Sequence, residues 1–532
     1  MYYGLSSPCF ACIVGRVIPV LAPLSGALPR QRGHGRRLLA AGAAAFAVSL
    51  ALYALYAAIH PVDWTLDPVD LRVYWDGGLI VRHVRPLYDP RLAAPLYQWG
   101  GSGLVELKFT YPPFAAAVFA AVSLIPLPVL ARISEGGDVI VLVAAVWFTF
   151  GGLGYRRGRA RLGAALLTSA AVLWTEPVLR TMYLGQVNLA LMALILWDLC
   201  QPDTAASRWW KGAGTGIAAG IKLVPLIFVP YLLLTRRFRQ ALMAFAGFAF
   251  TVLAGFAIQP RDSALWWFGG VFAQGRRTGF TGWVGNQSLR GLITRLTGSM
   301  AGAQAGWIAA AVLVAACGLA CAAMLDRAGH PAAGLLGCAL TGLLVSPISW
   351  DHHWVWIVPG TAVAGHYAAR AWQGARRLAW AFWALAAAGI PALYGAWPGS
   401  LWGQPHDQGA FSMGVIWAVP YTDPLTYARQ GDQPWYPEYH WHGLQLITGN
   451  AFLLGGLAAG LAVAAAAIAA ARRHGPPRIR TVTLPAVPRA QSRRHHFGEL
   501  LMALPRTVLV PLWHRARPGL CSRSWSESVN SP

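Results

Sequence analysis

Long stretches without a charge alternate along this chain with short loops dense in arginine. Residues 38–59 form a 22-residue run free of Asp, Glu, Lys and Arg. At about 1.5 Å of rise per residue, such a run crosses the roughly 30 Å hydrocarbon core of a bilayer as a helix. Further uncharged runs of sufficient length occupy 240–260, 296–325, 331–350, 378–404 and 443–471. The pattern predicts an all-α, polytopic transmembrane bundle, since a helix satisfies its own backbone polar groups in lipid.

Short loops rich in Lys and Arg mark the cytoplasmic side. Three qualify: Arg156-Arg157-Gly158-Arg159-Ala160-Arg161, Arg236-Arg237-Phe238-Arg239, and Arg370 with Arg376-Arg377. Placing them inside gives spans at about 38–59, 138–154, 161–176, 185–200, 239–258, 306–325, 331–347, 354–370, 378–396 and 450–471, with both termini cytoplasmic. Two apolar segments do not fit this alternation. Residues 113–128, bounded by prolines, predict a re-entrant or interfacial helix. Residues 212–234, broken at Lys222-Leu223-Val224-Pro225, predict two half-helices that dip in and return. With these included, about 10–13 membrane helices are expected.

Composition agrees with a membrane protein: 56% hydrophobic residues, 12% charged, 25 tryptophans and a mean hydropathy of +0.45. The formal net charge of +23 would suggest nucleic acid in a soluble protein, but much of it flanks the first and last spans. Residues 1–37 hold five Arg and no acid; 472–532 hold eleven Arg against Glu499 and Glu527. This is positive-inside charge, suited to anionic lipid heads. The chain accordingly divides into an N-terminal extension (1–37), a membrane domain (38–472) and a basic tail (473–532), both ends expected to be poorly ordered. Cys200, Cys317, Cys321 and Cys338 fall in or beside apolar runs, and Cys9 and Cys12 form a lone CxxC, so neither zinc nor a disulfide is expected.

The consequence of this topology is chemical. Nearly all polar clusters land on the outer face: the acid-rich loop 63–76, the segment from Glu176 to Asn188, Gly285-Asn286-Gln287-Ser288-Leu289-Arg290, and Ser346 to His353. The outer loop 259–305, with five Arg, runs against the charge rule, which long loops obey poorly. Separate polar loops converging at one membrane boundary are what a site for a lipid-borne substrate requires.

Seven pieces in order resemble glycosyltransferase family 87, the polyprenyl-phosphate-mannose-dependent α-mannosyltransferases of actinobacterial envelopes, with the C-type membrane fold. They are Asp70-Leu71-Arg72-Val73-Tyr74, Leu87-Tyr88-Asp89, Phe109-Thr110-Tyr111-Pro112-Pro113-Phe114, Gly185-Gln186-Val187-Asn188, Ile221-Lys222-Leu223-Val224-Pro225, Asn286-Gln287-Ser288-Leu289, and the run from Ser346 to His353. They cover about residues 40–400; the ends and the loop 397–445 have no counterpart. The resemblance implies a membrane enzyme that moves mannose from polyprenyl-phosphate-mannose to a lipid-linked or polymeric mannoside at the extracytoplasmic face of the cell membrane. It implies no cofactor and no metal, and its partners are that donor, a glycolipid or polysaccharide acceptor and membrane lipids.

Transfer from a lipid phosphate needs a base for the acceptor hydroxyl and cations for the departing phosphate. A β-linked donor giving an α product inverts in one displacement. The resemblance places the base at Asp70, with Asp76 second; the alternative for Asp70 is the capping of a short helix. His352 and His353 are candidates for phosphate or acceptor contact, or else ordinary interfacial groups. Two adjacent histidines do not compose a tetrahedral zinc site. Lys222, alone in a 23-residue apolar segment, needs a partner: donor phosphate, bundle carboxylate or the headgroup surface. Asn286, Gln287 and Ser288 can read sugar hydroxyls or cap a helix. Tyr111 joins the candidate substrate contacts through its motif, and Gln186 and Asn188 are interhelical polar links first and sugar ligands second. The aromatic-rich stretch 397–442 suits the headgroup belt or sugar stacking. A different class, a transporter or flippase of lipid-linked sugars, would show internal repeats and ionisable residues near the midplane, and no clear repeat is present. A scaffold for a soluble partner is a weaker alternative.

Overall fold

The computed structural model describes residues 34–59, 68–88, 96–99, 103–106, 108–274, 277, 279–396, 414–422 and 436–474. Most of both terminal extensions, Asp63, Asp67, Asp89 and residues 397–413 and 423–435 of the aromatic stretch lie outside the described residues.

Helices occupy all ten segments expected to cross. They are α1 (His34–Ile59), α4 (Leu127–Gly152), α5 (Arg159–Val172), the pair α6 (Glu176–Leu184) and α7 (Asn188–Cys200), α10 (Phe238–Ile258), α13 (Ala303–Arg327), α14 (Pro331–Val345), α15 (Ile357–Gln373), α16 (Arg377–Leu393) and α18 (Ala451–His474). Between them lie α2 (Val69–Arg82), α3 (Pro113–Val122), α8 (Ala213–Ile221), α9 (Phe228–Leu234), α11 (Pro260–Trp267), α12 (Leu289–Thr297) and α17 (Leu444–Thr448). Among the described residues, four helices are long and apolar enough to cross a membrane, or six if each of two bent pairs counts as one span. The others are shorter, as α14 and α16 show at 15 and 17 residues. A short antiparallel hairpin, β1 (Leu96–Trp99) with β2 (Gly103–Glu106), pairs Leu96 with Glu106 and adds the one sheet among the described residues.

The long helices expose apolar side chains that a soluble protein would bury, among them Leu52 on α1, Leu242, Phe245 and Leu253 on α10, and Val312 and Leu313 on α13. These are lipid-facing stripes. Inside, α4, α5, α7, α8, α14 and α15 share a core built on Leu142, Leu189, Ile195 and Val358. A second core, around Val284, Trp354, Trp417 and Phe452, takes in the described part of the aromatic stretch. Trp417 is fully buried and Trp441 nearly so, so these rings pack as core rather than as a belt or a sugar platform.

Both irregular segments are broken at their prolines. α3 and α4 meet at 104° across the Ser123–Pro126 break, where proline starts the second helix. α8 lies backbone to backbone on α10: a Cβ on Gly212, Gly216 or Gly220 would collide with Gln240, Ala244 or Thr251 respectively. The two helices therefore run in the same direction. The chain reaches the level of Thr251 at Gly220 and must come back, through the Val224–Ile227 turn and α9, to begin α10 at Phe238. Lys222 sits at the apex of that excursion.

Candidate active site

Each polar side chain of the site stands at a helix end or break. Pro68 precedes α2, whose first turn carries Asp70; no side chain caps the helix, so Asp70 is not its cap. A carboxylate in a first turn is favoured by the unpaired N–H groups there. Gln186 lies in the three-residue bend where α6 and α7 meet at 115°, and Asn188 begins α7. Lys222 ends α8 in extended backbone. His352 and His353 belong to the 3₁₀ turn Asp351–Trp356 that leads into α15.

These ends enclose a cavity of about 1060 Å³ whose wall includes Asp70, Tyr111, Gln186, Lys222, His352 and His353. Lys108, Arg180, Arg277 and Arg290 add positive charge to it, and Trp266, Trp283, Trp307 and Trp350 add aromatic faces. Among the described residues, Asp70 and Asp351 are the two acidic ones on the wall. A cavity with that balance favours an anion.

Beside Asp70, Tyr74, Gln186 and Tyr111 form a closed hydrogen-bond ring. The Tyr74 hydroxyl donates to Gln186 Oε1 at 2.7 Å, Gln186 Nε2 donates to the Tyr111 hydroxyl at 3.2 Å, and the two hydroxyls are 3.0 Å apart. Gln186 also hydrogen-bonds Asp70, which uses its second amide proton. Burial pushes the Asp70 carboxyl above its ordinary range, against the opposing pull of His352, Gln186, Lys222 and Arg180. A carboxylate so placed is a stronger base than one in water.

Lys222 donates to Asn188 Oδ1 at 2.8 Å and meets His353 Nε2 at 2.9 Å. It forms no ion pair with a carboxylate among the described residues, although it feels the charge of Asp70. Two of its three ammonium protons are thus engaged, leaving one for a ligand. His353 also bonds the Ile348 backbone, while burial, Lys222 and His352 all push its pKa down. Neutral His353 accepts from Lys222 and holds it in place. His352 differs: Nδ1 lies 3.0 Å from Asp351 Oδ1, whereas Nε2 is buried without a hydrogen-bond partner on the cavity wall.

Four expected residues lie elsewhere. Asp76 is off the cavity wall, on another face of α2 from Asp70, because six residues along a helix turn the side chain by about 240°. Asn286, Gln287 and Ser288 are fully buried and serve the main chain instead of a sugar. Asn286 donates to Thr281 O and accepts from Ser349 N, while Gln287 donates to Val284 O and Gly449 O. Ser288 Oγ caps α12 by accepting from Gly291 N. Together with the bridge between Asn286 and Trp350, they fix the strand of chain that carries Asp351 and His352. Asn188 likewise has both ends engaged, by Lys222 and by the His352 carbonyl at 2.9 Å.

Sequence reasoning passed over Arg180 and Glu176. Both are buried in α6, and a charged pair inside an otherwise apolar helix was the available signal.

A family model described as Glycosyltransferase family 87 matches residues 109–347. A polyprenol-phosphate-mannose-dependent alpha-(1-2)-phosphatidylinositol pentamannoside mannosyltransferase of Mycobacterium tuberculosis is 33% identical over 394 residues, covering 74% of this chain and 81% of the relative. The protein of the same description from Mycolicibacterium smegmatis is 33% identical over 395 residues, 73% of this chain and 85% of its own. A second M. tuberculosis relative, a polyprenol-phosphate-mannose-dependent alpha-(1-2)-phosphatidylinositol mannoside mannosyltransferase, is 33% identical over 313 residues, 56% of this chain and 70% of the relative. No solved structure matches the chain significantly.

Proposed function

Because this chain belongs to glycosyltransferase family 87, we propose that it moves mannose from polyprenyl-phosphate-mannose to a hydroxyl of a phosphatidylinositol mannoside, at the extracytoplasmic face, by inversion. The observation that carries this reading is one carboxylate, Asp70, sharing a cavity wall with Lys222 and His352. The arginine-rich loops support the sidedness, and the relatives' descriptions support the acceptor class.

Asp70 takes the proton of the acceptor hydroxyl as its oxygen attacks the anomeric carbon from the face opposite the phosphate. The bond from that carbon to the phosphate oxygen breaks, and its electron pair leaves with the phosphate. Lys222 offers its remaining N–H to the charge that develops there. His352 Nε2 is a lone pair while Nδ1–H faces Asp351; once protonated from solvent it donates to a second phosphate oxygen. Both groups are fixed before the reaction by Asn188, His353 and Asp351, so little reorganisation accompanies charge transfer.

The test is transfer of labelled mannose from synthetic polyprenyl-phosphate-mannose to a phosphatidylinositol mannoside by the purified chain in lipid vesicles, with the new linkage read by an α-1,2-specific mannosidase. Intact donor with no mannosylated product refutes the reading. Donor that crosses the vesicle unchanged would support the flippase alternative.

A further inference from the structure

Glu176, which the chemistry above leaves unused, belongs to a buried cluster that meets the cavity wall at Arg180 and Asp351. Glu176 opens α6 and is fully buried. Its Oε1 accepts the indole N–H of Trp417, while its Oε2 has no hydrogen-bond donor, and the carboxyl lies close enough to that of Asp351 for the two to interact directly. A Cβ on Gly414 would collide with Glu176 Oε2, so the segment bearing Trp417 closes directly onto this carboxyl. Asp351 Oδ2 lies 3.0 Å from Arg180 Nε, and Asp351 Oδ1 lies 3.0 Å from His352 Nδ1. The Arg180 guanidinium also covers the Trp417 ring, 5.1 Å from its centre.

Two carboxyl groups in direct contact, shut away from water beside a single arginine, cannot both be ionised; they share a proton. Geometry and charge decide which one holds it. Asp351 faces the Arg180 guanidinium and accepts from His352 Nδ1, and although burial pushes its carboxyl up, these two partners bring it below the usual carboxylate range. Glu176 faces an indole donor on one oxygen and Asp351 on the other side, where only a proton of its own can make the bond.

We propose that Glu176 is a positioning residue: it carries the shared proton, donates it as a hydrogen bond to Asp351, and thereby fixes the carboxylate that aims His352 Nε2 into the cavity. The inference rests on the transferase reading for its activity assay, and a second readout frees it from that dependence. The charged and titratable groups around His352 are Asp351, Arg180, Asp70, Lys222 and His353. Removing the donor on Asp351 concentrates negative charge next to the imidazole and favours its protonated form.

The experiment compares Glu176→Gln and Glu176→Leu with the parent, as full chains in lipid vesicles. Gln retains a donor toward Asp351 and an acceptor for Trp417; its turnover should stay close to the parent and its pH profile should superimpose. Leu retains neither and should lower turnover by roughly 10- to 100-fold, as loss of an orienting neighbour does. The same proteins labelled with ¹⁵N-histidine, the His352 signal identified by its loss in His352→Gln, should show His352 titrating at higher pH in Leu than in Gln or the parent. A Gln variant as impaired as Leu would mean that Glu176 acts as an anion and overturns the proposal. So would a Leu variant with parental turnover and an unmoved His352 titration. Should Leu fail to insert, Gln still decides: a parental titration supports the shared proton and a shifted one refutes it. A parent inactive on polyprenyl-phosphate-mannose would sink the transferase reading while leaving the histidine titration to judge Glu176.

Discussion

Replacing Lys222 by Met separates a phosphate-binding lysine from a structural one, and the structure sets the size of each effect. In the unliganded protein the ammonium makes hydrogen bonds to Asn188 Oδ1 and His353 Nε2 and no ion pair with a carboxylate among the described residues. Met therefore strands two neutral acceptors beside a cavity that water can enter, at about 1–3 kcal/mol in all, rather than the roughly 3–5 kcal/mol of a buried carboxylate left alone. On the donor side, one hydrogen bond from a charged group to phosphate contributes about 1.5–3 kcal/mol, which corresponds to roughly a 10- to 150-fold loss in kcat/KM for the donor. Melting curves of the detergent-solubilised variant, read beside a titration with polyprenyl-phosphate-mannose, should show a small loss of stability and a large loss of donor use. An unchanged donor kcat/KM together with a large drop in stability would refute the assignment of the third ammonium proton to the phosphate.

Three further outcomes are expected. Asp70→Asn should insert normally and lose about 10²–10⁴-fold in turnover, because an amide cannot take the hydroxyl proton, whereas Asp76→Asn, off the cavity wall, should stay close to the parent; the reverse pattern in the mannose-transfer assay would move the base. Since burial raises the Asp70 carboxyl, the acid limb of the kcat/KM profile should fall above the ordinary aspartate range near about 3.9, activity being lost as pH drops through it; removing a hydrogen bond that favours the charged form, in Gln186→Leu, should move that limb higher still. In a cysteine-free background, Thr297→Cys should react with an impermeant thiol reagent on intact cells and Arg157→Cys should not; both positions are exposed, and labelling at Arg157 alone would invert the proposed orientation.

Asp70, Lys222 and His352, which come together on one cavity wall, stand out in the sequence because each interrupts an apolar pattern: an acid soon after a long span, one lysine among 22 uncharged neighbours, a histidine pair closing an uncharged run. The broken helices around Lys222 were legible from Pro225, which has no N–H to bond back to Ile221 and so ends the helix there. Asn286, Gln287 and Ser288 were misjudged because their partners are backbone carbonyls and amides of Thr281, Val284, Ser349 and Gly449, groups that residue identity does not reveal. Glu176 and Arg180 stand one helical turn apart and read as a local pair. Arg180 instead pairs with Asp351, 171 positions away, a match that follows only from the packing of α6 on the 351–356 turn. Helix lengths were harder still: uncharged runs at 331–350 and 378–404 hold helices of only 15 and 17 residues, because length of apolar sequence does not by itself fix where a helix stops.

The placement of the site at helix ends also constrains what can fill it. Backbone at the ends of α2, α6, α8 and α14 leaves N–H and C=O groups without intrahelical partners, and at the depth of a bilayer these must find hydrogen bonds somewhere. Any such group that faces the cavity is served by water or by a ligand's hydroxyls. An alkyl chain cannot take the place of that solvent, while a polyhydroxylated ring can, hydroxyl for water. On the proposed reading, helix ends gathered at one cavity suit the sugar end of an amphiphilic substrate better than its acyl end.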